Sequence, residues 1–195
     1  MNNKLLGILA LLGAPTLLIG MHLEQTYPSL SNSWFTGVWG ITYISAWMAS
    51  IVALRRLQAT GTSRFGKALL WIISGTLILA NISNVYQIIL PKDKSTLFII
   101  IDSFWPISNI IMLVVGIMVI KAKVLLGWQR FVPLVVGLWF PLTMLTMAIV
   151  GRDAPIMEVV PYYTAIAWSL LAIVVLTASK KMETEKIFVP DHQWA

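Results

Sequence analysis

One acidic residue lies inside a long apolar segment of this chain, where an ionisable side chain is best placed to do chemistry. Asp102 is in the apolar segment 96–120, about six residues or roughly 9 Å from its start at about 1.5 Å of helix per residue. Pro106 follows four residues later, and a helical proline leaves the carbonyl four residues before it without its usual donor. A carboxylate beside a free carbonyl suits a cation, a proton or an ammonium group. The sequence therefore predicts a binding site at Asp102, the alternative being a packing role against neighbouring polar side chains.

Other polar side chains are concentrated at the same depth as Asp102 in neighbouring apolar segments. Asn81 and Asn84 share one helix face, three residues apart, and Asn109 shares a face with Asp102. Glu158 has an alternative role, because an acid in a first turn also stabilises the helix dipole. The other halves of the segments are almost entirely apolar. We therefore predict a polar pocket in one half of the molecule, with these candidate ligand-binding residues: Asp102, Asn81, Asn84, Asn109, Tyr162, Glu158, His22 and Trp105.

Six apolar segments must hold these side chains in place. The chain is 58% hydrophobic and 11% charged, with a mean hydropathy of +0.82, and about 20 apolar residues of helix suffice to cross a bilayer. This pattern predicts an all-α, polytopic membrane protein. It forms a six-transmembrane-helix bundle and a single integral membrane domain over residues 1–195, ending in a tail, 179–195. The predicted spans are 5–22, 34–54, 68–90, 96–120, 131–150 and 156–178.

The basic residues predict the orientation of the bundle. Eleven of the 14 lysines and arginines fall at the N-terminus, in the second and fourth connections or in the tail. The positive-inside rule then places both termini in the cytoplasm and the polar pocket in the outer half, most simply in a bacterial cytoplasmic (inner) membrane. The net charge of +6 is thus explained by topology and lipid headgroups, and we expect no nucleic-acid partner.

Several kinds of chemistry are excluded by residue type. The chain has no cysteine and only two histidines, His22 and His192, so thiolate metal sites and thiol catalysis are excluded, and the histidines lie at opposite ends of the bundle. No lysine lies in mid-span, and phosphate-binding-loop, serine-hydrolase and metalloprotease motifs are absent. We therefore expect no cofactor and no metal. The first segment is expected to stay as a helix, because no small-residue cleavage site follows Gly20.

A weak internal repeat accompanies the spans. A shift of 66 residues lays spans two and three over spans four and five, so that Trp39 meets Trp105 and Arg55 meets Lys121. Because the unit contains two helices, its copies would be parallel rather than inverted.

Three functions fit these features. The leading hypothesis is binding or transport of a small cationic or neutral solute, with proton or cation coupling through Asp102. The second is an intramembrane enzyme acting on a lipid or isoprenoid, which requires Asp102 to meet His22 or Glu158. The third is an accessory subunit, whose mark would be an uncovered small-residue face such as Ala165, Ser169 and Ala172. The expected partners are the lipid bilayer and a small-molecule ligand, and an oligomer is left open.

Overall fold

The computed structural model describes the backbone of residues 2–188 and the side chains of residues 2–178, so His192 lies outside the described residues. Within that part of the chain the regular structure is entirely helical. Three short 3-10 turns, Pro28–Leu30, Gly127–Phe131 and Pro155–Glu158, precede α3, α7 and α8. The α-helices are α1 (Asn3–Gly13), α2 (Thr16–Thr26), α3 (Trp34–Arg56), α4 (Arg64–Ile89), α5 (Thr96–Asp102), α6 (Phe104–Ala122), α7 (Val132–Val150) and α8 (Val159–Phe188).

The described helices form six rods that are long and apolar enough to cross a membrane, which supports an integral, multi-pass membrane protein. Each rod overlaps one predicted span, and the ends differ by only a few residues. Large apolar side chains such as Leu12, Ile89 and Ile149 face outward, as expected of a surface that lipid covers. The rods are Asn3–Thr26, Trp34–Arg56, Arg64–Ile89, Thr96–Ala122, Gly127–Val150 and Pro155–Ala178.

Prolines divide two of the rods. Pro15 separates α1 from α2, and the α5–α6 break falls at Ser103, in the turn that precedes Pro106, where the proline has no N–H to donate. Pro141 and Pro161, which the sequence also predicts to interrupt helices, do not divide theirs. α7 continues as one helix through Pro141, and Pro161 is the third residue of α8, where a missing N–H costs little because first-turn donors have no partner within the helix.

The six rods form a closed ring in chain order. Each packs on the next, α8 closes the ring against α1, and α3 also contacts α8 across the middle. The α3–α4 and α6–α7 hairpins have the most extensive packing in the ring. They are the two units of the proposed repeat, whose common origin stays a prediction. Connections 27–33, 90–95 and 151–158 share one end of the ring, called here the site end.

The half of the ring away from the site end is a dry apolar core. Leu54, Leu171, Val174 and Val175 have no exposed surface. At that end Arg55 stacks on the ring of Trp71, 3.9 Å from its centroid. An arginine held on an aromatic ring is typical of the headgroup region of a membrane protein.

Candidate functional site

A cavity of about 230 Å³ lies near the site end, between α2, α3, α4 and the α5–α6 rod. At about 30 Å³ per water molecule in the liquid, this volume corresponds to roughly seven or eight waters. Lys94 and Asp102 are both exposed, so the cavity opens to the surface beside them. Its polar lining comes from three rods and one connection: Thr36, Ser83, Asn84, Gln87, Lys94 and Asp102.

Asp102 lies at the break between α5 and α6. It is the last residue of α5, and the Ser83 hydroxyl of α4 donates to its Oδ1 at 3.3 Å. The rod ends its first segment here because the N–H that would continue the helix at Pro106 is missing. The predicted disruption of the helix near Asp102 is therefore present, and it turns the carboxylate into the lining of the cavity.

The α4–α5 connection carries Lys94 and is braced by Asp93. The carboxylate of Asp93 accepts hydrogen bonds from the Tyr86 hydroxyl and, at 2.9 Å, from the Ser95 N–H. These bonds favour the ionised acid and hold the pKa of Asp93 below its usual value, the Tyr86 bond being the main cause. Lys94 extends from this braced turn, with its ammonium 4.9 Å from the centroid of the Phe98 ring.

Two glycines let α4 approach α3 closely beside the cavity. A Cβ at Gly37 would overlap the Asn84 carbonyl oxygen, and one at Gly40 would overlap the Asn84 side-chain amide. The missing side chains therefore create the space in which the Asn84 amide lies. Small residues play this part in close helix pairs within membranes.

Glu24 joins α2 to α3 at the edge of the cavity. Its Oε1 accepts hydrogen bonds from the Thr36 hydroxyl and, at 2.9 Å, from the Trp39 indole N–H. Thr36 and Trp39 both line the cavity, so Glu24 orients part of the wall. The sequence placed Glu24 at the end of span one but offered no signal that these two residues would meet it.

An aromatic cluster, formed by Tyr43, Trp47, Trp105, Trp139 and Trp168, extends from the cavity into the ring. The Trp105 and Trp139 centroids are 5.0 Å apart and those of Trp47 and Trp168 are 5.1 Å apart. Tyr43 and Trp105 also line the cavity. Among the described residues no hydrogen-bond partner of normal geometry reaches the Tyr43 hydroxyl or the four buried indole N–H groups, although the Tyr43 hydroxyl lies near the Trp105 side chain.

The structure brings together three of the eight predicted site residues: Asp102, Asn84 and Trp105. Asn81 lies in a separate shallow groove, where its amide donates to Ser45 Oγ at 3.2 Å. Asn109 is fully buried and donates to the Trp105 carbonyl at 3.0 Å. The remaining three are exposed and are not among the lining residues of the cavity: His22, Glu158 and Tyr162.

The structure also shows the residues on which the two alternative hypotheses, an enzyme and an accessory subunit, depend. His22 and Glu158 make no hydrogen bond to Asp102 within the described part of the chain, so the convergence that the enzyme hypothesis requires is not seen. Ala165 is only 9% exposed and Ala172 is fully buried, whereas Ser169 is half-buried, so the chain itself covers two of the three residues of the small-residue face expected of an accessory subunit.

The cavity lacks the residues of a metal centre. Across the described residues, no group of three or more acidic or histidine side chains is arranged to hold a metal ion. The lining combines one carboxylate, one ammonium, two amides and aromatic rings. Comparison of the chain with models of known protein families, with curated proteins and with solved structures finds no match.

Proposed function

We propose that this protein binds a small polar solute in the cavity at Asp102, as a receptor or as a carrier that opens outward. One observation carries the proposal: an open cavity beside Asp102 in which a carboxylate, an ammonium and two amides meet aromatic walls. Polar groups are costly inside a bilayer and are typical of sites that handle solutes or ions. In a carrier, Asp102 would also be the group that takes up a proton or cation.

The proposal places the site end outside a bacterial cytoplasmic membrane and both termini inside it. The distribution of the basic residues supports this orientation. Because the chain has no cysteine, a single cysteine substitution labels one known position and so reports the orientation directly. Lys92→Cys should react with an impermeant maleimide in intact cells, and Gln58→Cys should react only after lysis; the reverse result contradicts the orientation.

Binding with outward opening fits the molecule better than a continuous channel. The half away from the site end is filled by apolar side chains without exposed surface, such as Leu54, Val119 and Leu171. Water and ions do not cross such packing unless the rods move. Any transport would therefore require rearrangement, for which the breaks at Pro15 and Ser103 provide flexible points.

Asp102→Asn tests this function. The wild type and the variant are compared in lipid nanodiscs by the rise in melting temperature with a panel of small amines, amino acids and polyols. A bound solute stabilises the folded state in proportion to the logarithm of its concentration over Kd. We expect Asp102→Asn to weaken binding at least about tenfold, equivalent to about 1.4 kcal/mol.

Asp153→Asn is the matched control, because this exposed acid lies at the same end but outside the cavity. It should bind as the wild type does. Equal binding by Asp102→Asn and the wild type, or a panel in which no solute stabilises the wild type, contradicts the proposed function.

A further inference from the structure

We propose that the solute is a small zwitterion, carrying an ammonium group and an anionic group a few ångströms apart, as a free amino acid or a betaine does. The proposal rests on the function proposed above and narrows its ligand class. It is carried by two opposite charges, Asp102 and Lys94, that line one cavity without pairing with each other.

Each of the two charges is held by its own contacts. Asp102 accepts from Ser83 at 3.3 Å, and the Lys94 ammonium lies over Phe98. Both side chains line the same cavity, and no ion pair joins them in the described structure. Both charges are therefore available to a ligand bound in the cavity.

This charge arrangement discriminates against ions of a single sign. A cation attracted by Asp102 is repelled by Lys94, and an anion attracted by Lys94 is repelled by Asp102. A zwitterion whose ammonium faces Asp102 and whose anionic group faces Lys94 is attracted at both ends. Specificity of this kind comes from repulsion as much as from attraction.

The remaining lining matches the two ends of such a ligand. Trp105 lies one helical turn beyond Asp102, and Trp39 is oriented by its bond to Glu24, so aromatic faces are available for an ammonium. The Gln87 amide also lines the cavity, is 8% exposed and has no protein hydrogen-bond partner in the described part of the chain. A buried amide usually has a partner, and a carboxylate of the ligand would accept from it.

The volume sets the size of the ligand. About 230 Å³ is below the roughly 300–1,000 Å³ of pockets that take drug-sized molecules. A compact amino acid or betaine fits this space, whereas a peptide does not. A zwitterionic lipid headgroup has the same charge pattern, so the experiment must separate the two sources.

The test measures binding to the purified protein in nanodiscs of phosphatidylglycerol, a lipid with no ammonium group. The probes are glycine betaine and β-alanine as zwitterions, choline as a cation and propionate as an anion. We expect a zwitterion to bind at least about tenfold more tightly than either single ion. Choline that binds wild type as tightly as the best zwitterion overturns the inference and leaves the proposed function standing. If neither zwitterion binds, the inference is also overturned. The proposed function fails only if, in addition, no solute of the wider panel stabilises the wild type.

Two variants should shift selectivity in opposite directions. Lys94→Gln should weaken zwitterion binding about tenfold, so that choline binds as tightly as the zwitterion. Asp102→Asn should also weaken zwitterion binding about tenfold, so that propionate binds as tightly as the zwitterion. Lys92→Gln is the control, since this exposed lysine lies in the same connection but outside the cavity. Each melting temperature is measured without ligand, so that a loss of folding is recognised. Unchanged selectivity in Lys94→Gln, with folding intact, overturns the inference.

A final arm identifies the source of the zwitterion. Nanodiscs are prepared with an increasing fraction of phosphatidylethanolamine. Betaine affinity that falls with this fraction supports the zwitterion chemistry with the lipid headgroup as its source. Affinity that stays constant supports a free solute.

Discussion

Removing the Glu24 carboxylate should loosen the contact between α2 and α3 and disturb the Trp39 wall of the cavity. Glu24 accepts from both the Thr36 hydroxyl and the Trp39 N–H. A hydrogen bond to a charged group contributes about 1.5–3 kcal/mol when well buried, but side-chain bonds measured within membranes average about 0.6 kcal/mol, with a maximum near 1.7. Glu24 is only partly buried, so about 1 kcal/mol per bond is the reasonable value. Glu24→Ala should therefore cost about 2 kcal/mol in all.

A double-mutant cycle isolates the Trp39 bond from the other effects of the substitution. Glu24→Ala, Trp39→Phe and the double variant are unfolded reversibly in mixed micelles, and the coupling free energy between the two sites should be about 1 kcal/mol. Glu24→Gln keeps an acceptor oxygen and should lose about half as much as Glu24→Ala. Gln25→Ala, at the exposed neighbouring position, should change little. A coupling below about 0.3 kcal/mol, within the additivity error of such cycles, would refute the reasoning.

Two further predictions concern packing and pH. Gly40→Ala should destabilise the protein by about 1–3 kcal/mol and weaken solute binding, because its Cβ overlaps the Asn84 amide; Gly75→Ala, where a Cβ meets nothing within 4 Å, should show neither effect in the same unfolding and binding assays. Because the pKa of Asp93 is lowered in the folded state, its stabilisation is complete above its ordinary value near 3.8 and is lost as pH falls below that value. Tyr86→Phe should raise this pKa towards the ordinary value in a carboxyl NMR titration, and a titration that does not change would argue against the Tyr86 bond.

The six helices long and apolar enough to cross a membrane could be predicted from the sequence, because length and apolarity are local properties of each segment. The site was predicted only in part. Asp102 was identified because an acid and a proline in one apolar segment are both conspicuous within a few residues. Lys94 and Gln87 were not among the predicted site residues, because neither has a local pattern that predicts a meeting with Asp102.

Asn81 and Asn84 show what only tertiary structure decided. On a helical wheel the two residues share one face, yet Asn84 lines the cavity and Asn81 lies in a different groove beside Ser45. The Asn84 amide still donates to Asn81 Oδ1 at 3.4 Å, and it occupies the space that the absent side chain of Gly40 leaves. The sequence alone determined that the chain forms six helices long and apolar enough to cross a membrane and carries polar groups at one end, because length and apolarity belong to each helix by itself. Which of those groups share a cavity depends on the packing of helices distant in sequence, since a small rotation moves a side chain from one groove to the next.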